Sequence, residues 1–71
     1  MNETRERILE VSLSLFSEYG YSAVSIRDIC KMVSIKESTI YYHFKNKYAI
    51  FEELLYRFQS KADSMMGHLT S

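Results

Sequence analysis

Residues Ser25 to Lys47 read SIRDICKMVSIKESTIYYHFKNK, and the spacing within them decides the fold. Ile26, Ile29, Cys30 and Val33 fall at i, i+3, i+4 and i+7, one face of a helix. Ser25 stands before that face as an N-cap. Asp28, three residues on, completes a capping box with Asp in place of Glu. Ser34, Ile35 and Lys36 interrupt the pattern. A second short helix follows over Glu37 to His43, with Ile40 and Phe44 as the next inward pair, four apart. On a helical wheel Ser38 and Tyr42 point furthest from that pair, flanked by Thr39, Tyr41 and His43. The second helix therefore offers water a row of hydroxyls and rings rather than a salt-bridged charged face.

Outward from this centre the pattern stays helical. Ile8, Ser12, Leu15, Phe16 and Tyr19 run at i, i+4, i+7, i+8 and i+11, and Leu9 and Leu13 widen the stripe. Asn2 or Thr4 suits the cap, and Gly20 suits the left-handed position just past a helix end. The first helix is thus expected over about Thr4 to Tyr19. Tyr21 to Val24 reads as a short connector whose Tyr21 and Val24 tuck against the core. Downstream, Asn46 reads as the cap of a further helix that begins at Lys47. Phe51, Leu54, Leu55, Phe58, Ala62, Met65 and Leu69 continue helical spacing for about five turns. The early part of that helix closes a bundle. From Ala62 onward nothing in the chain remains to pack on, so Met65, Met66 and Leu69 are expected to lie exposed or frayed. The sequence is expected to be a fragment cut where a second domain begins, the alternative being a natural end with a loose tail.

Composition bounds the class. The chain has 71 residues, enough for one small core, with no Pro, two Gly and 46% hydrophobic residues, which favours an all-α globular domain over disorder. One Cys rules out an internal disulfide framework and fits a reducing compartment, with the cytoplasm as default. No apolar run reaches membrane-spanning length and no signal-peptide pattern opens the chain. The formal net charge is zero, which taken whole speaks against a nucleic-acid binder. Its distribution speaks otherwise. Between Ser25 and Lys47, five cations (Arg27, Lys31, Lys36, Lys45, Lys47) against two acids (Asp28, Glu37) leave +3.

Two short helices joined by a three-residue turn match the helix-turn-helix, whose second helix enters the major groove of DNA. In that geometry Lys36, Glu37, Ser38 and Tyr42 are candidates for base edges, with Glu37 able to accept from a cytosine amino group. Thr39, Tyr41, His43 and Lys47 suit phosphates. Ser25 directs the start of its helix, and Arg27 in the first turn, toward a phosphate. For Glu37 the plain alternative is a favourable charge at a helix start; for Tyr41 and His43 it is a half-buried ring and an exposed spectator. Lys47 carries the sharpest signal, because a cation at a helix start opposes the dipole unless an anion such as phosphate compensates. Cys30 reads as a buried, inert thiol. No metal-ligand cluster, glycine-rich phosphate loop or nucleophile–base pair is present, so neither a cofactor nor catalysis is expected.

The ordered set Ile8-Leu9, Leu15-Phe16, Gly20, Ser25-Ile26-Arg27-Asp28-Ile29, Thr39-Ile40-Tyr41, Phe44, Lys47 and Ile50-Phe51 resembles the DNA-binding domain of the tetracycline-repressor (TetR) family over about residues 4 to 56. The resemblance implies a homeodomain-like three-helix core plus the start of a fourth helix. It gives residues 1–60 to the DNA-binding domain, and 61–71 to a continuation of helix four toward an absent C-terminal domain for dimerisation and ligand binding. It implies a homodimeric, usually repressing regulator of the bacterial cytoplasm and nucleoid. Such a protein binds a near-palindromic double-stranded operator and answers to a small-molecule effector. By position it carries DNA contacts to Ser25, Arg27, Glu37, Ser38, Thr39, Tyr41, Tyr42, His43 and Lys47. Three residues depart from the family pattern: Ser34 for the usual turn Gly, Lys36 for the usual Ser or Thr cap, and Cys30 for the usual Ala. The competing reading is a helical protein-interaction module built on Tyr41, Tyr42 and the Met65–Leu69 stripe.

Overall fold

The structure, a computed structural model, describes residues 3–70, with side chains as far as residue 59. Four α-helices follow one another: α1, Glu3–Tyr19; α2, Ile26–Val33; α3, Glu37–His43; and α4, Lys47–Thr70. A single turn of 3₁₀ helix, Tyr21–Ala23, lies between α1 and α2. The all-α expectation is met, and α3 has the bounds its sequence suggests. Asn2 and the side chains of Ala62, Met65, Met66 and Leu69 lie outside the described residues.

The core sits where α1, α2, α3 and the first turns of α4 meet. Ile8, Leu9, Ile29, Ile40 and Ile50 are fully buried, and Val24, Cys30, Val33, Phe44 and Leu54 nearly so. Each helix thus contributes its apolar stripe to one cluster, the arrangement that buries the most apolar surface from a chain this short. Ser12 is buried among them, and its hydroxyl has no hydrogen-bond partner.

The stripe of α1 fails at one place. Tyr19, expected inward, is 61% exposed. It occupies the last turn of α1, where it lines an open groove with Leu15, Ala23, Val24 and Met32. The core ends below it, so helical periodicity continued one turn past the packing.

Two backbone positions explain the turns. Gly20 has φ 90° and ψ 149°. The positive φ agrees with the sequence, but the ψ is extended rather than left-handed helical, a region that is almost exclusively glycine's. A side chain there would meet nothing within 4 Å, so the need for glycine is conformational alone. Ser34 has φ 65° and ψ 49°, the left-handed helical conformation, at an energetic cost of about 1 kcal/mol or more for a residue with a Cβ. In that conformation the amides of Ser34 and Ile35 both reach the Cys30 carbonyl, at 2.8 and 3.1 Å, and close α2.

Ion pairs tie the outer side of α1 to α4. Arg57 donates from both terminal nitrogens to the Glu6 carboxylate at 2.8 Å each, and Arg5 lies 3.3 Å from Glu53. The Arg57 guanidinium holds the Glu6 carboxyl below its usual range. These pairs are solvent-exposed, so their contribution is small. Arg5 also sits over the Phe44 ring, 4.8 Å from its centroid, joining the start of α1 to the end of α3.

Candidate nucleic-acid interface

The helix-turn-helix is built from its caps inward. The Ser25 hydroxyl accepts the Asp28 amide at 3.1 Å, and the Asp28 carboxylate accepts the Ser25 amide at 2.9 Å. Those bonds, with the backbone one foremost, hold the Asp28 carboxyl below the ordinary aspartate range. Ile29, Cys30 and Val33 then bury the inner face of α2. Burial pushes the Cys30 thiol up, as expected for an inert core cysteine.

α3 starts without such help. Lys36 is its N-cap and makes no side-chain capping bond; only its carbonyl serves the helix, accepting the Thr39 amide at 3.0 Å. Ile40 is the one buried residue of α3, and Phe44 just past its end is buried too. A single inward anchor on a seven-residue helix leaves the rest of its surface outward. Lys36, Glu37, Ser38, Tyr41 and Tyr42 are exposed; Thr39 and His43 are half-buried. Tyr42 is 83% exposed, the most exposed of the large hydrophobic residues described. A ring so placed lies mostly in solvent, and its hydroxyl is available to a ligand. The Tyr42 and His43 rings meet edge to face at 5.0 Å, which limits the freedom of both. Arg27 is exposed in the first turn of α2.

Nine of the ten sequence candidates therefore lie along the starts of α2 and α3 and the outer side of α3. Lys47 is different. It does open α4, and the Asn46 side chain caps that helix by accepting the Ala49 amide at 2.8 Å. Its ammonium, however, turns inward, donating to the carbonyl oxygens of Tyr21 and Val24 at 2.8 Å each. It also lies 4.1 Å from the centroid of the Tyr21 ring. The charge at the helix start finds its compensation in carbonyl dipoles within the chain. Tyr21, assigned to the core from sequence, is thus also the platform for this cation. No local pattern could have linked the two, 26 residues apart. Lys45 and Tyr48 stand exposed around the start of α4.

Among the described residues, no group of three or more His, Cys, Asp or Glu side chains is placed to hold a metal ion, and no helix is long and apolar enough to cross a membrane.

A capped helix, a tight turn, and a second helix with a wet polar and aromatic face define a helix-turn-helix domain. Residues 8–54 match the family described as bacterial regulatory proteins, tetR family, and the chain belongs to that family. It is 44% identical over 52 residues to the HTH-type transcriptional regulator AcrR of Shigella flexneri, covering 73% of this chain and 24% of that one. It is 41% identical over 49 residues to the biofilm operon icaADBC HTH-type negative transcriptional regulator IcaR of Staphylococcus aureus strain Newman, covering 69% of this chain and 26% of that one. The chain spans about a quarter of the length of these curated relatives.

Proposed function

We propose that this chain is the DNA-binding part of a transcriptional repressor that works as a homodimer on a near-palindromic operator. The observation that carries the reading is the outer face of α3: Tyr42 83% exposed, with Ser38, Glu37 and Lys36 exposed on the same short helix. On this reading Lys36, Glu37, Ser38 and Tyr42 meet base edges in the major groove, and Thr39, Tyr41 and His43 meet phosphates. Arg27 and the start of α2 at Ser25 grip the same backbone from the neighbouring helix. Both relatives named above are transcriptional regulators, and one is described as negative, which supports repression. Family membership, rather than any missing residue, sets catalysis aside.

On this reading residues 1–60 belong to the reading head, and 61–71 lead toward a C-terminal domain that dimerises and binds a small effector. Pairing two heads gives each dimer two half-sites, and with them the affinity a single head lacks. The setting is the bacterial cytoplasm, at the nucleoid. A helical protein-interaction module, the alternative, draws no support from the relatives.

The test begins with selection of an operator from random duplexes, followed by affinity against salt. Counterion release makes duplex affinity fall steeply as salt rises. A mainly apolar protein contact would be nearly insensitive. Tyr42→Ala should weaken the selected operator by roughly tenfold or more, within the ~1–3 kcal/mol of a lost base contact, and barely affect random duplexes. Equal losses on both would remove Tyr42 from base reading.

A further inference from the structure

We propose that Lys47 is a positioning residue: its ammonium staples the entrance of the helix-turn-helix to its exit and so fixes how α3 is presented, without itself gripping DNA. The inference rests on the DNA-binding reading for its consequence, though not for its geometry.

An ammonium has three hydrogens to donate. Two go to the carbonyl oxygens of Tyr21 and Val24, and the Tyr21 ring lies 4.1 Å away against the same nitrogen. Charge-assisted bonds of this length are stronger than neutral ones, and the cation–ring attraction adds to them. A phosphate could claim at most the third hydrogen, and any larger outward displacement of the nitrogen would break its bonds to the Tyr21 and Val24 carbonyls.

The two ends of the staple have meaning in the chain. Val24 immediately precedes Ser25, the N-cap of α2, and Lys47 immediately follows Asn46, the N-cap of α4. Everything between, α2, the turn and α3, is the reading unit. One side chain thus joins its two boundaries across 23 residues. The inner anchor is itself fixed, because the Tyr21 ring packs on Phe16 at 5.2 Å and Phe51 at 4.9 Å, from α1 and α4 respectively. α3 needs such bracing. It has no side-chain cap and one buried residue, so its attitude depends on how its flanking links are held. Base-edge hydrogen bonds tolerate only a few tenths of an ångström and weaken steeply with angle.

The test uses the natural full-length protein, its selected operator and a random duplex, titrated with KCl well below the melting temperature. Lys47→Met keeps the aliphatic stem and removes the charge. It should bind the operator about tenfold more weakly, equivalent to ~1.4 kcal/mol, at an unchanged slope of log affinity on log salt. A slope shallower by about 0.9 would mean a lost phosphate contact and would overturn the proposal. So would unaltered operator affinity. A purely structural role lowers the melting temperature and leaves the affinity of folded protein untouched. Should Lys47→Met fail to fold, Tyr21→Leu removes the platform and should give the same operator loss at the same slope; no loss overturns the staple. If the unaltered protein ignores every duplex, the function reading falls instead. Melting of the two single variants and the double then decides the staple by itself: overlapping losses support it, and fully additive losses overturn it.

Discussion

Helices α2 and α3 have nearly the same length, eight and seven residues, yet they are held in opposite ways. α2 has a reciprocal cap at its start, three buried residues along its inner face and, at its end, two amides that donate to one carbonyl. α3 has an uncapped start and buries Ile40 alone. Neither is long enough to persist in isolation. α2 supplies much of its own support; α3 takes its support from what it touches. The side chains that α3 does not commit to caps or core are the ones left to meet a partner, so the weakness of the helix and its availability have the same origin.

The largest break in this comparison is expected at Ile40. Ile40→Ala removes the sole buried side chain of α3 and should cost about 2–5 kcal/mol, a substantial part of the stability of so small a domain. Urea unfolding measures it. A loss below about 1 kcal/mol would mean that α3 is anchored elsewhere. A smaller break is expected at Ser25. Ser25→Ala removes half of the capping box and should cost about 1 kcal/mol, while α2 keeps its three buried residues and stays helical by circular dichroism. The other half is pH-dependent. The Asp28 carboxyl is held below its ordinary value in the folded chain, so its contribution is complete above the unfolded aspartate pKa near 4 and is lost as pH falls through the folded value. The smallest effect has the opposite sign. Lys36→Ser gives α3 the cap it lacks and should raise stability by ~0.5–1 kcal/mol in thermal unfolding. No gain would show that the α3 start is already satisfied by other means.

Much of this is legible in the sequence. The capping box could be read because both of its partners lie within three residues. Ile40 and Phe44 could be read as inward because four residues bring a helix back to the same side. Asn46 as a cap and Gly20 as a positive-φ position follow from the same short-range rules, although the ψ of Gly20 is extended where a left-handed turn was expected. The rest depends on distance in sequence. The inward turn of Lys47 needs a carbonyl 26 residues upstream, and the grip of Arg57 on Glu6 spans 51. Tyr19 shows the opposite failure: its helical spacing is sound, but its side chain borders an open groove and stays 61% exposed. Within the candidate site, which side chains share the outer face of α3 was a matter of helical angle and could be read. That the Lys47 ammonium bonds to the Tyr21 and Val24 carbonyls could not.

The buried thiol of Cys30 gives the domain a reporter of its own. It is the sole cysteine of the sequence, 5% exposed on the inner face of α2, with its ionisation pushed up by burial. Alkylating reagents attack thiolate that solvent can reach, so a maleimide pulse would label this chain only in molecules whose α2 has come away from the bundle. The rate of labelling at Cys30 therefore counts opening events of the reading unit, without an introduced dye.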